Sequence, residues 1–421
     1  MAHFTHKRYI TLFAAATLVL QAGFFNRDVP KTQQLIVQMD LGYEKAEAYT
    51  LLNEVREAVG LNRLMQEEHL ERAAQAHANY LVRNHTSGHT ESSSLKGFSG
   101  VRPADRAVAA GYALTQVSEN LSTQNRDAQN SLEGLFSAIY HRFGFLATDI
   151  DQVGIGVAQE GKESAFVYLM GNEALEKLCR VDAFDGYGRY MFKVCKDPKH
   201  RIGANVFNEA KEKLKQYNPP LILYPYDGQE DVPLAFYQET PDPLPEYDVS
   251  GFPVSIIFND YYFKEVKLLS FKLYENGEHP LHHVRLISKE NDPNRRFDDH
   301  SFALFPLERL AYDTEYSVEV DYEADGKRGH KRWHFHTRVP DEPLITLKKG
   351  DSTLKLESGK SYLLYFEPRT GRDLLKRVSY PHDITVTFVD SNTLRITIPA
   401  NRQEGFDIAS KTRHLHIEIK K

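Results

Sequence analysis

Eight prolines fall between positions 219 and 253, at Pro219, Pro220, Pro225, Pro233, Pro241, Pro243, Pro245 and Pro253. No α-helix can run through them, because each lacks an amide donor and its ring clashes with the preceding turn. They divide the chain. Ahead of them apolar residues recur at helical spacing, and beyond them they alternate with a period of two. The stretch itself reads as an extended, stiff connector. At 421 residues the chain exceeds one ordinary core, so two to four domains are expected. Its net charge of -6 provides no broad basic field, which argues against a nucleic-acid partner.

The first part is read as helices followed by a hairpin. Ala48, Leu52, Val55 and Val59 mark one helical face that Gly60 closes. Leu70, Ala73, Ala74, His77 and Leu81 share a stripe between Glu67 and Val82, which makes His77 a core residue. A short helix is predicted from Pro103 to Gly111. Another is predicted from the N-cap Asp127 to Arg142, with Leu132, Leu135, Phe136 and Ile139 inward and His141 on the opposite side. Val153 to Gln159 and Ser164 to Gly171 then alternate as two strands joined through Gly161. Gly154-Ile155-Gly156 lies inside the first strand and so cannot be a dinucleotide fingerprint, which must lead from a strand into a helix. His85 and His89 are four apart, but Gly88 argues that the helix has ended before they could pair.

Beyond the prolines, strands are predicted at 254–258, 266–274, 284–287 and 316–322, with hairpin turns at Asn276-Gly277 and Asp325-Gly326. Trp333, Phe335 and Thr337 share a face, while His282, His283, His334 and His336 line an exposed one. Leu310, Thr314, Tyr316 and Val318 resemble the tyrosine-corner region of immunoglobulin-like sandwiches. Runs at 361–366, 384–389 and 394–398 indicate a smaller β-unit at the end.

Lys7 and Arg8 precede an apolar run from Ile10 to Leu20, which reads as an export signal ending near Gln21-Ala22 or, if uncut, as an N-terminal membrane anchor over 9–25. The two cysteines, Cys179 and Cys195, lie symmetrically about Asp185-Gly186-Tyr187-Gly188. A turn there would set them opposite each other in a hairpin disulfide, in keeping with an oxidising compartment.

Five short motifs follow one another in the helical part: Ser87-Gly88-His89, Asp105-Arg106 with Gly111-Tyr112, Glu119-Asn120, Tyr140-His141-Arg142 and Val153-Gly154-Ile155-Gly156. A helix carrying Leu52-Asn53-Glu54-Val55-Arg56 precedes them. Their order and spacing resemble the bacterial branch of the CAP superfamily, which includes SCP-like extracellular domains, over about 130 residues. With the β-runs beyond it read as an all-β immunoglobulin-like sandwich and a smaller β-unit, the chain is expected to be α+β, with a signal at 1–22, the CAP domain at 46–172, a cystine hairpin and helical connector at 173–218, and β-units at 219–338 and 339–421. For the CAP domain the resemblance implies an N-terminal α-β-α sandwich. It also implies a cleft holding His89, His141 and Glu119, with Asn120 and Arg106 supporting. The family's second acid has no match, since Ser137 stands at its position and Glu133 one turn earlier.

Two imidazoles and a carboxylate are a recognised ligand set for zinc with one open position, so metal: His89, Glu119 and His141 form one reading. In the other reading the histidines hydrogen-bond Glu119 and brace the cleft without metal. No catalytic residue is assigned, and neither a Gly-x-Ser-x-Gly elbow nor a His-Glu-x-x-His helix occurs. The function expected is non-catalytic binding of a small apolar or peptide-like ligand at the cell envelope, by a secreted or periplasmic protein whose β-domains act as spacers. The alternatives are a zinc-dependent envelope hydrolase and an adhesion protein acting through its β-domains on an envelope component.

Overall fold

The computed structural model describes residues 38–348, 350 and 352–420, and residues Gln38–Lys421 pack as one compact unit. The export signal expected at 1–22 lies outside the described residues. Among the described residues no helix is long and apolar enough to cross a membrane.

The N-terminal part is a sheet between helices. Helix α1 (Leu41–Ala58) starts earlier than its apolar stripe suggests, because the Asp40 carboxylate accepts from the amides of Gly42 and Tyr43. It is followed by β1 (Met65–Gln66), α2 (Glu68–Asn84), α3 (Pro103–Ala110) and β2 (Ser118–Thr123). Next come α4 (Ala128–Ser137), α5 (Ile139–Phe145), β3 (Gln152–Glu160) and β4 (Glu163–Gly171), and the sheet order is β1-β3-β4-β2. The hairpin β3–β4 forms as expected, with Gly161 at φ +60 between its strands.

Gly154 and Gly156 serve packing. A Cβ on Gly154 would stand 2.0 Å from the Glu71 amide nitrogen, and one on Gly156 would stand 2.3 Å from the Ala74 carbonyl carbon, so only bare backbone lets α2 lie this close to β3. Leu70, Ala73, Ala74, His77 and Leu81 all face that seam and are buried.

Three expectations are corrected. The helix predicted over 127–142 is two helices, because Ala138 is extended (φ -79, ψ 114) and α5 begins after it. The periodic stripe continues through the break, so the break leaves no mark on it. The disulfide Cys179–Cys195 is formed, but not across a hairpin. Cys179 caps the end of α6 (Glu173–Leu178), while Cys195 bridges to Leu114. The local ladder instead pairs β5 (Tyr190–Met191) with β6 (Ile202–Gly203), ahead of α7 (Ala204–Tyr217).

The proline-rich stretch is no free connector. Leu221–Tyr224 and Gln229–Val232 are strands in the two sheets of the following sandwich. One sheet runs 284–287, 301–306, 254–258, 221–224, and the other runs 279–280, 266–275, 315–324, 327–337, 229–232. Trp333, Phe335 and Thr337 are buried on one face of the closing strand, and Asn276-Gly277 and Asp325-Gly326 turn with positive φ at both residues. The tyrosine-corner bond is made: the Tyr316 hydroxyl accepts from the Ala311 amide at 3.0 Å. The last unit has its own core around Leu364, Leu394, Ile396 and Ile417, between a four-stranded and a three-stranded sheet.

The sandwich does not stand apart from the helical part. One apolar cluster runs from Leu52, Phe136 and Phe145 through Tyr224, Phe252 and Val254 to Trp333, and the Phe136 and Tyr224 rings stack at 5.1 Å. A second cluster joins Ala138 and Ile139 to Phe236, Phe297 and Phe305. The β-sandwich and the helical part thus share their apolar core.

Candidate functional site

His89 lies in the loop after α2. That helix ends at Asn84, where His85 takes a left-handed conformation and excludes the four-residue histidine pairing. Glu119 and Asn120 sit on β2, an edge strand whose mixed polar sequence hid it from periodicity. Between them lies Arg106 on α3, without exposed side-chain surface. Its Nη2 donates to both Glu119 oxygens at 2.8 and 2.6 Å, and its Nη1 donates to the His89 carbonyl at 3.0 Å. Glu119 also meets His89 Nδ1 at 3.0 Å. Burial alone would raise the Glu119 pKa, but His89 and Arg106 outweigh it and hold the carboxyl below its ordinary range.

Beneath this triad lies a second acid that the sequence did not single out. Glu91 is buried and meets His77 Nδ1 at 2.8 Å, and its oxygens accept from the Ser99 amide at 2.6 Å and the Ser99 hydroxyl at 3.0 Å. The other ring nitrogen of His77 stands 3.0 Å from the Gly88 carbonyl, and the residue is buried in the core as its stripe predicted.

His141 is the third residue of α5, after Ile139 and Tyr140, and that helix is gripped from several sides. The Asn120 amide donates to the His141 carbonyl at 2.7 Å. Arg56, buried under α1, donates to the Phe145 and Ala147 carbonyls at 2.6 and 3.2 Å and so satisfies the C-terminal end of α5. Arg142 Nε donates to the Phe136 carbonyl of α4 at 2.6 Å, and further contacts come from the β-region. Arg142 donates to the Pro253 carbonyl at 2.7 Å and to Ser255 Oγ at 3.1 Å, with its guanidinium over the Tyr224 and Phe252 rings at 4.8 and 5.0 Å. The Tyr140 hydroxyl donates to Asp292 and accepts from Asn294.

The partner of His141 is Glu239, from the proline-rich stretch. Its Oε2 stands 3.0 Å from His141 Nδ1, and its Oε1 accepts from the Tyr140 amide at 3.4 Å, at the start of α5. Glu239 is 2% exposed at the side chain, and burial raises its pKa despite the opposing pull of His141. The residues considered for the missing acid do other work: Glu133 pairs with Arg338 at 3.1 Å, and the Ser137 hydroxyl bonds back to the Gly134 carbonyl. Nothing in the sequence marks Glu239, since it follows no period and lies about 100 residues from its partner.

The two imidazoles face each other, with ring centroids 6.5 Å apart and planes inclined by 26°. Each has Nδ1 against a buried carboxylate, which makes Nδ1 the donor and leaves Nε2 as an acceptor in the neutral ring. Among the described residues neither Nε2 has a hydrogen-bond partner, and the His89 side chain is 43% exposed. The His141 side chain is 14% exposed, so of the two acceptors that of His89 is the more accessible.

The ligand set expected for zinc is not assembled. Glu119 is held by Arg106 and buried to 1% at the side chain, and among the described residues no group of three His, Cys, Asp or Glu is placed to hold a metal ion.

Residues 49–172 match the Cysteine-rich secretory protein family, CAP. Among solved structures, an outer surface protein from Borrelia burgdorferi is 23% identical, with a TM-score of 0.29, covering 32% of this chain and 97% of that one. An extracellular protein containing an SCP domain from Bacillus anthracis is 18% identical, with a TM-score of 0.28, covering 31% and 41%. A cysteine-rich secretory protein from Staphylococcus aureus is 15% identical, with a TM-score of 0.21, covering 32% and 41%. No curated protein matches the chain. Over residues 49–172 the chain is a CAP domain, and it continues from there into an all-β region of several sheets.

Proposed function

We propose that this is an exported, non-catalytic binding protein whose CAP cleft takes a small peptide-like ligand, with His89 and His141 accepting hydrogen bonds from its N–H or O–H groups. One observation carries this reading: a buried carboxylate faces each Nδ1, the rings stand 6.5 Å apart, and among the described residues neither Nε2 has a hydrogen-bond partner. Export fits the apolar N-terminal run, the disulfide and the extracellular character stated for the Bacillus protein.

The same geometry disfavours the hydrolase reading, in which Glu119 would serve as ligand or base, because Arg106 already occupies both its oxygens. The test is native mass spectrometry of protein purified from its own host, beside a His89→Phe, His141→Phe double variant. A small-molecule adduct on the wild type that is absent from the variant supports binding at the cleft. Zinc-dependent hydrolysis of a peptide or ester, abolished in the double variant, would instead establish the enzyme.

A further inference from the structure

The loop closed by the disulfide has a surface that the cleft does not use. Met191, Val194 and Cys195 turn inward onto the core beside α2, so the segment has a fixed seat. Tyr190 and Phe192, two positions apart on extended backbone, turn outward together with ring centroids 6.1 Å apart. The Arg201 guanidinium lies 5.1 Å from the Tyr190 ring, and the Lys193 ammonium lies 5.6 Å from the Phe192 ring. Tyr187 is wholly exposed in the turn, and Val181 is 58% exposed.

Arg189 and Lys193 within the loop, and Lys196, Lys199 and Arg201 just past Cys195, are the cations of this segment, and among the described residues none of the five forms an ion pair with an acid. The acids of the same stretch are Asp182, Asp185 and Asp197, so it carries a positive excess on a chain whose net charge is -6. Protruding aromatic rings among unpaired cations match the lipid–water boundary, where amphipathic rings settle at headgroup depth and cations meet lipid phosphates.

We propose that this cystine-stapled loop, with the segment that follows it to Arg201, docks the protein on an anionic lipid bilayer surface, with Tyr187, Tyr190 and Phe192 entering the headgroup layer and the five cations meeting phosphates. The site is separate from the His89–His141 cleft, and the proposal stands or falls independently of the ligand reading.

The test is co-sedimentation of the oxidised chain, lacking residues 1–37, with phosphatidylcholine vesicles containing or lacking phosphatidylglycerol. Binding is expected to the anionic vesicles only, and to weaken as salt is raised. The Lys193→Gln, Lys196→Gln variant should bind on the order of twentyfold more weakly, at about fivefold per cation. The Tyr187→Ser, Tyr190→Ser, Phe192→Ser variant should lose about tenfold. Every changed side chain is at least partly exposed, and an unaltered melting temperature checks that the fold is kept. Absence of binding to anionic vesicles, equal binding to neutral ones, or variants that bind as the wild type does would each overturn the proposal.

Discussion

Arg106 and Glu239 do for the cleft what its histidines cannot do for themselves. Arg106 neutralises Glu119 where water cannot, so replacing it with methionine leaves a buried carboxylate without its cation. We expect Arg106→Met to cost about 3–5 kcal/mol in urea unfolding, and adding Glu119→Gln to recover part of that loss. The two acids should also respond to pH with opposite signs. Glu119 is depressed in the fold, so its ionisation contributes stability that is present above its unfolded value, roughly 4.3, and lost as pH falls through the folded pKa. Glu239 is raised, so the folded protein holds that proton more tightly, and stability falls as pH rises from the unfolded value through the folded one. Relative to wild type, Glu119→Gln should therefore become less stable from pH 3 toward pH 7, whereas Glu239→Gln should become more stable. Denaturation midpoints at a series of pH values check this, and trends of the same sign would refute it.

At the scale of elements, the close approach of α2 to β3 is the feature with the least tolerance. Gly154→Ala and Gly156→Ala each place a methyl group inside the helix backbone, and each should cost about 3 kcal/mol or more in urea unfolding, against little change for Gly134→Ala, whose Cβ position is open. Most helices and strands of the CAP part were legible because burial imposes its period on them, as the stripe of Leu70, Ala74, His77 and Leu81 shows. What escaped had no period to show. Ala138 breaks a helix without breaking the apolar spacing, and β2 is a polar edge strand. The disulfide pair was readable from spacing, but its geometry was not, since α6 ends at Cys179 where a strand was expected. His89, Glu119 and His141 were found through ordered motifs. Glu91 and Glu239 were invisible because only the folded chain brings them to their histidines.

Over the whole molecule, the CAP part and the β-sandwich are one structure around α5. Tyr140, His141 and Arg142, three successive residues, each bond to a residue beyond position 219. A chain ended at Asn218 would expose Phe136 and Ile139 and leave Arg142 without its carbonyl and aromatic partners. We expect that truncated protein to bind a hydrophobic dye and to melt without the cooperative transition of the full chain, as followed by calorimetry. A truncation that melts cooperatively near the full-length temperature would show the two parts to be independent.

Glu239 reaches across from the β-region to hold His141. Long-range proton–nitrogen spectra of the full chain, at a pH where both rings are neutral, read this directly from the imidazole nitrogens. We predict that His89 and His141 both carry their proton on Nδ1, and that Glu239→Leu returns His141 to a mixture of tautomers while leaving His89 unchanged. A His141 ring protonated on Nε2 in the wild type, or one indifferent to Glu239→Leu, would contradict it.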